Sequence, residues 1–158
     1  MNYFICGFSG AGKSYLLESL KELIELELID LDQYIFQQFG QGHDGLGDYI
    51  RDVGFKQFRL EEKKALSVLA KKGGILISLG GGALDTKAEL ILKDFNGLWL
   101  NTDFETCYSR IKDDINRPLS EKSYDELKEL YLSRKLVYSK YSEVSNAKEV
   151  AVLVKESD

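Results

Sequence analysis

Two spacings of apolar residues alternate along this chain. Tyr3-Phe4-Ile5-Cys6 is a short unbroken run of strand type, whereas Lys13 to Ile24 carries Leu16, Leu17, Leu20, Leu23 and Ile24 at helical spacing. Leu28 to Asp32 reads as a second strand that ends in two carboxylates, Asp30 and Asp32. At i and i+2 they share one side of an extended chain. A helix is predicted from Asp48 to Lys72, broken near Gly54, and Gly73-Gly74 ends it. Ile75 to Leu79 is a buried-type strand, Asp85 to Lys93 a helix, Gly97 to Leu100 a further strand. Asp103, as N-cap, opens a helix to Lys112, and another runs from Tyr124 to about Tyr141. Glu149-Val150-Ala151-Val152-Leu153-Val154 reads as a closing strand. Strand followed by helix, repeated, predicts the α/β class with a mostly parallel sheet and right-handed crossovers.

The chemistry is concentrated where strands give way to glycine. Gly7-Phe8-Ser9-Gly10-Ala11-Gly12-Lys13-Ser14 fits G-x-x-x-x-G-K-[ST], the phosphate-binding P-loop. Its glycines let the backbone curl so that consecutive N–H groups face one concavity. Lys13 can reach phosphate oxygens, and Ser14 can place a hydroxyl on Mg²⁺. Strand, loop and helix in this order aim a helix N-terminus at a phosphate.

Ligands of parallel α/β sheets bind beyond the carboxyl ends of the strands, where Asp30 and Asp32 fall. They could hold Mg²⁺ or take a proton from a hydroxyl; alternatively Asp32 is the N-cap of a helix starting at Gln33. Gly80-Gly81-Gly82 follows a strand directly, which allows close approach to the backbone or makes a plain turn. Arg59 and Glu62 could equally be a solvated helix face. Residues 113–122 are strongly polar, contain the one proline and read as a mobile surface segment.

Composition narrows the picture further. With 158 residues, 44% hydrophobic and 30% charged, one globular domain is expected. A net charge of −5 argues against a nucleic-acid surface, which is usually basic. No apolar run approaches the roughly 18 residues of a membrane span. The first strand begins at once, so no signal peptide is expected and the cytoplasm is the expected compartment. Cys6 and Cys107 are read as small buried hydrophobes rather than as a disulfide or metal pair. His43 is read as a solvated loop histidine within residues 40–47.

In order and spacing these motifs resemble shikimate kinase, a small P-loop kinase family related to the nucleoside monophosphate kinases. The resemblance runs from about residue 3 to about residue 142. It rests on the P-loop, the D-x-D of Asp30 and Asp32, F-R-x-x-E as Phe58, Arg59 and Glu62, and the triple glycine. R-P-L as Arg117-Pro118-Leu119 and R-x-x-x-Y as Arg134 and Tyr138 complete it. It implies a five-stranded parallel sheet with the P-loop strand central, and transfer of the γ-phosphate of ATP to the 3-hydroxyl of shikimate.

Carried over residue by residue, the resemblance makes Asp32 the base and places Asp30 and Ser14 at Mg²⁺. Arg59 and Arg134 would clamp the substrate carboxylate, with Phe58 beside them and Gly80, Gly81 and Gly82 against the ring. Gly10, Ala11, Gly12, Lys13, Ser14 and Tyr15 would hold ATP, with Arg110 stacked on adenine. Arg117 would arrive with a lid of about residues 113–122 and join Lys13 and Asp32 in catalysis. Two departures are visible. Gly54 is followed by Phe55 where the family commonly has Glu, and Ser142 to Asp158 leaves room for a strand and little more. The expected protein is a monomeric, cytoplasmic kinase with shikimate and ATP as ligands and no nucleic-acid or membrane partner. A kinase of another hydroxy acid such as gluconate, or a lapsed nucleotide-binding module, is the alternative.

Overall fold

Tyr3–Cys6 (β1) is buried at every position, because this strand lies in the middle of the sheet with both faces covered. The computed structural model describes residues 1–157; Asp158, the last residue of the expected domain, lies outside them. The chain continues through Lys13–Leu20 (α1), Glu27–Asp30 (β2), Leu31–Phe39 (α2), Leu46–Val53 (α3) and Phe55–Leu69 (α4). Ile75–Ser78 (β3), Thr86–Ile91 (α5), Asn96–Leu100 (β4) and Phe104–Ile111 (α6) follow. A 3₁₀ turn at Pro118–Glu121 precedes Tyr124–Tyr138 (α7), Ser142–Val144 (β5) and Ala147–Glu156 (α8).

The sheet has five strands in the order β2-β3-β1-β4-β5, all parallel. The expected class and the central P-loop strand are therefore found. Parallel pairing has a consequence for function: every strand ends at the same edge. The P-loop after Cys6, Asp30, the glycines after Ser78 and the segments after Leu100 and Val144 all emerge there.

Three elements differ from expectation. The run expected to extend to Asp32 stops at Asp30, because Leu31 and Ile35 are fully buried at helical spacing and the helix begins at once. Asp30 caps it, accepting the Gln33 N–H at 3.2 Å. The cap considered for Asp32 belongs to Asp30, and Asp32 sits in the first helical turn rather than beside Asp30 on a strand.

The closing strand expected over Glu149–Val154 is instead α8. Its buried residues, Ala147, Val150, Ala151 and Val154, recur at three and four, and Asn146 caps it by accepting the Glu149 N–H at 3.0 Å. β-Branched composition suggested a strand, but the burial period is helical. The tail thus holds a strand, a short connection and a terminal helix, more than its length suggested. The third difference is Glu62, which is completely buried and paired with Arg59, so this is no solvated helix face.

The break in the long helix is found at Gly54, whose φ of 85° favours glycine. Cys6 and Cys107 are both free and buried, as expected. His43 bonds Asp52 at 2.9 Å and the Gly40 carbonyl oxygen, and it lines no part of the cleft described below. No described helix is long and apolar enough to cross a membrane.

Candidate active site

The cleft begins at the P-loop. Gly10 and Gly12 adopt φ values of 79° and 100°, in the left-handed region that side chains other than glycine disfavour. That geometry turns the chain into α1 at Lys13 and leaves the first N–H groups of the helix facing the cleft. The loop is braced from outside. Thr102 donates its hydroxyl to the Ala11 carbonyl oxygen at 2.7 Å, and Arg110 donates to the Gly10 carbonyl oxygen at 2.9 Å. Lys13 folds back on the loop, donating to the carbonyl oxygens of Gly7 and of Phe8, the latter at 2.9 Å. Burial pushes its ammonium down to about 8, against the pull of Asp32.

Ser14 Oγ stands 3.5 Å from Asp30 Oδ2. This is a pair of hard oxygen donors at the mouth of the phosphate cradle. Among the described residues there is no cluster of three or more acids, histidines or cysteines that could enclose a metal. A hydroxyl and a carboxylate suit Mg²⁺, which keeps several waters and binds through one or two protein groups plus phosphates.

Asp32 occupies the junction between the two halves of the cleft. No described residue donates a hydrogen bond to it. A Cβ on Gly80 would lie 2.7 Å from Asp32 Oδ1, so only glycine lets the carboxylate come this close. Desolvation, then the neighbouring Glu62 and Asp30, raise its carboxyl to about 6, with Lys13 and Arg59 opposing.

Beyond Asp32, Arg59 and Arg134 converge. A Cβ on Gly82 would overlap Nη2 of Arg59 and lie 2.6 Å from Nη2 of Arg134. Glu62 takes Nη1 of Arg59 through both oxygens, at 2.9 and 3.0 Å, which fixes the fork. The rings of Phe58 and Phe55 flank the same guanidinium at 5.5 and 5.8 Å, so Phe55 contributes an aromatic face. Arg134 lies 5.7 Å from the Phe8 ring centroid, and burial lowers its pKa. Tyr138 donates its hydroxyl to the Gly81 carbonyl oxygen and so ties α7 to the triple glycine. Two guanidiniums with one nearby carboxylate form a site for a further anion.

The cleft has a volume of about 680 Å³ on the P-loop side and opens into a recess of about 110 Å³ around Arg59 and Arg134. Ser9, Asp32, Gly80, Gly81 and Arg117 line both. Arg117 bridges Ser9 Oγ at 2.8 Å and Asp114 Oδ2 at 2.9 Å. Each residue expected from the sequence to act in catalysis or to bind ATP, substrate or Mg²⁺ lines one part or the other, although Tyr15 lies on the rim, 81% exposed; Glu62 and Tyr138 stand behind the lining. Several lining residues had not been singled out, these among them. Thr102 follows β4, Ser145 and Asn146 join β5 to α8, and Leu46 and Ile50 project from α3 into the recess. The cap at Asn146 was the signal for Ser145 and Asn146.

Residues 9–153 match the family model described as shikimate kinase. The chain belongs to the shikimate kinase family. A shikimate kinase of Persephonella marina is 34% identical over 141 residues, 87% of this chain and 84% of that one. A shikimate kinase of Macrococcus caseolyticus is 30% identical over 99% of this chain and 94% of that one. The structure of shikimate kinase from Acinetobacter baumannii in complex with shikimate superposes with a TM-score of 0.84 at 25% identity, covering 98% of this chain and 90% of that one. Family membership therefore extends through the short tail, whose strand and helix complete the cleft.

Proposed function

We propose that the protein transfers the γ-phosphate of ATP to the 3-hydroxyl of shikimate, in the synthesis of aromatic amino acids. The observation that carries this reading is the convergence of Arg59 and Arg134 at Gly82, one carboxylate away from a P-loop. Shikimate is a small carboxylate bearing hydroxyls. Its carboxylate meets the two planar forks, and its hydroxyls meet Asp32 and the backbone of Gly80 to Gly82.

The N–H groups of Gly10 to Ser14 and the Lys13 ammonium take the phosphates, Tyr15 borders them, and Arg110 lies on the adenine side. Asp32 orients the 3-hydroxyl and accepts its proton as the oxygen bonds to the γ-phosphorus; the bond to the β-phosphate oxygen breaks and ADP leaves. Arg117, carried on a lid of residues 113–122, offsets the charge on the transferring group. Ser14 and Asp30 would hold Mg²⁺, which would supply charge neutralisation at the phosphates. Phe58 and Phe55 set the plane of Arg59. The chain acts as a single domain, a monomer in the cytoplasm, without nucleic acid or membrane; its acidic balance speaks against a nucleic-acid partner.

The test is a coupled assay of ADP release with ATP, Mg²⁺ and either shikimate or gluconate. Turnover should be seen with shikimate; preference for gluconate, or none with either, would overturn the reading.

Two further results are expected. Arg59→Lys and Arg134→Lys keep charge but lose the fork. Each should raise KM for shikimate on the order of 10-fold, with KM for ATP little changed. A dominant effect on ATP would assign these residues to the nucleotide. Arg117→Ala should lower kcat more than it weakens shikimate binding, because the lid completes the site. Amide exchange over residues 113–122 should slow when both ligands are present; equal protection with and without ligands would rule out a lid.

A further inference from the structure

The lid segment is tied to the rest of the protein by few polar contacts. Most of its hydrogen bonds are local, such as Asn116 N–H to Asp114 Oδ1 and Ser120 N–H to the Arg117 carbonyl oxygen. On its inner side Arg117 reaches Ser9 of the P-loop. On its outer side Arg51, from α3, donates through Nη2 to the Ile115 carbonyl oxygen at 2.6 Å and through Nε to Glu121 Oε1 at 2.9 Å. Among the described residues, these are the side-chain hydrogen bonds that join residues 113–122 to distant parts of the fold.

Arg51 lines neither part of the cleft. Its grip on Ile115 is on the backbone, for the Ile115 side chain is 78% exposed and does not anchor the segment. A second contact lies beside it. The backbone of Asn116 rests on Gly47, where a Cβ would overlap the Asn116 carbonyl oxygen. Residues 115, 116 and 117 are thus held in succession by Arg51, Gly47 and Ser9. The same helix α3 projects Leu46 and Ile50 into the recess around Arg59, and the lid projects Pro118 and Leu119 into it from the other side.

We propose that Arg51 is a positioning residue: it clasps the lid to the acceptor-side helix and thereby sets where Arg117 stands over the phosphates. An exposed ion pair alone contributes little. Both Arg51 contacts lie at the exposed surface, so the clasp rests on the charge-assisted bond to the Ile115 carbonyl together with the close backbone contact of Asn116 on Gly47. The proposal rests on the reading of this cleft as the ATP and shikimate site, so the experiment separates the two.

Three variants are compared with the parent protein. Arg51→Ala removes both bonds. Arg51→Lys keeps a donor and the charge. Gly47→Ala pushes Asn116 away without touching Arg51. Amide exchange over residues 113–122 is measured without ligands, and kcat and KM are measured with ATP and shikimate. Arg51→Ala and Gly47→Ala should both speed exchange in the lid. Both should lower kcat/KM for shikimate on the order of 10-fold, the low end for hydrogen bonds to a charged group. The dissociation constant for ADP and the melting temperature should hardly change, and Arg51→Lys should recover most of the loss. Parent-like exchange or parent-like kcat/KM in Arg51→Ala or Gly47→Ala overturns the clasp, as does no recovery in Arg51→Lys. Absence of shikimate turnover in the parent overturns the functional reading instead, and leaves the exchange comparison to judge the clasp alone.

Discussion

Lys13→Ala should abolish nearly all turnover, by a factor on the order of 10³, while the protein stays folded. Lys13 is the basic side chain within the P-loop sequence itself, and a transferring phosphoryl group needs its charge offset at close range. Arg117 and Arg110 stand beside the loop, but each is bound to a partner of its own, Asp114 and the Gly10 carbonyl oxygen. Stability should change little, because two effects oppose each other. The variant loses the hydrogen bonds to the Gly7 and Phe8 carbonyl oxygens, and it also removes an ammonium that burial disfavours. A pH signature accompanies this. The ammonium is at about 8 in the fold against 10.5 in the unfolded chain, so between those values the unfolded state binds more protons and stability rises with pH. Melting measured without nucleotide from about pH 8 to pH 10 should show that rise in the parent and a flatter profile in Lys13→Ala. Unchanged kcat in the variant would end the assignment of the loop to phosphate.

What could be read from the sequence follows how local each determinant is. The P-loop is eight consecutive residues whose backbone angles are dictated by glycine, so pattern and structure coincide. Asp30 and Asp32 were legible as a pair, but not the boundary between them. A short strand that passes directly into a helix leaves no loop between them, either aspartate could be the cap, and the burial of Leu31 and Ile35 shows where the period changes. The tail failed for a related reason. Its valines, at 150, 152 and 154, alternate as in a strand, while the residues that become buried, Ala147, Val150, Ala151 and Val154, recur at helical spacing, and that second period is the one the structure follows. The meeting of Arg59 with Arg134 could not be derived from residue pattern at all. It requires α4 and α7 to be brought to one sheet edge by parallel topology, and it was anticipated through family resemblance. Arg51 gave no signal either, since an arginine on an amphipathic helix is ordinary until its partner segment is placed beside it.

Asp32→Asn should leave a stable protein with kcat lowered by a factor on the order of 10² to 10⁴, the range for loss of a general base. Asn keeps the size and one acceptor oxygen but cannot take the proton of a hydroxyl. The competing account, a helix cap, has lost its support, because Asp30 makes the capping bond to Gln33 and no described residue bonds Asp32. Gly80 adds to this: the chain has glycine where a side chain would crowd the Asp32 carboxylate, which leaves its oxygens open to the junction between the phosphate side and the arginines. ATP binding should be little affected, since in the proposed function the P-loop, and not Asp32, holds the nucleotide. The sign of the stability effect is also fixed. Asp32 titrates at about 6 in the fold and 3.8 in the unfolded chain, so the folded state binds the extra proton between those values. Stability is lost as pH rises through that window, and the ionised form remains a burden above it. Asn carries no such burden, so in nucleotide-free and metal-free solution the variant should gain in melting temperature relative to the parent, more at pH 7.5 than at pH 4. The decisive measurement is kcat and melting on the same preparation. Near-parent activity would remove Asp32 from the chemistry. A protein as stable as the parent or more so, yet almost inactive with shikimate while still binding ATP, is the result expected of a carboxylate kept at a cost to the fold for the proton it accepts.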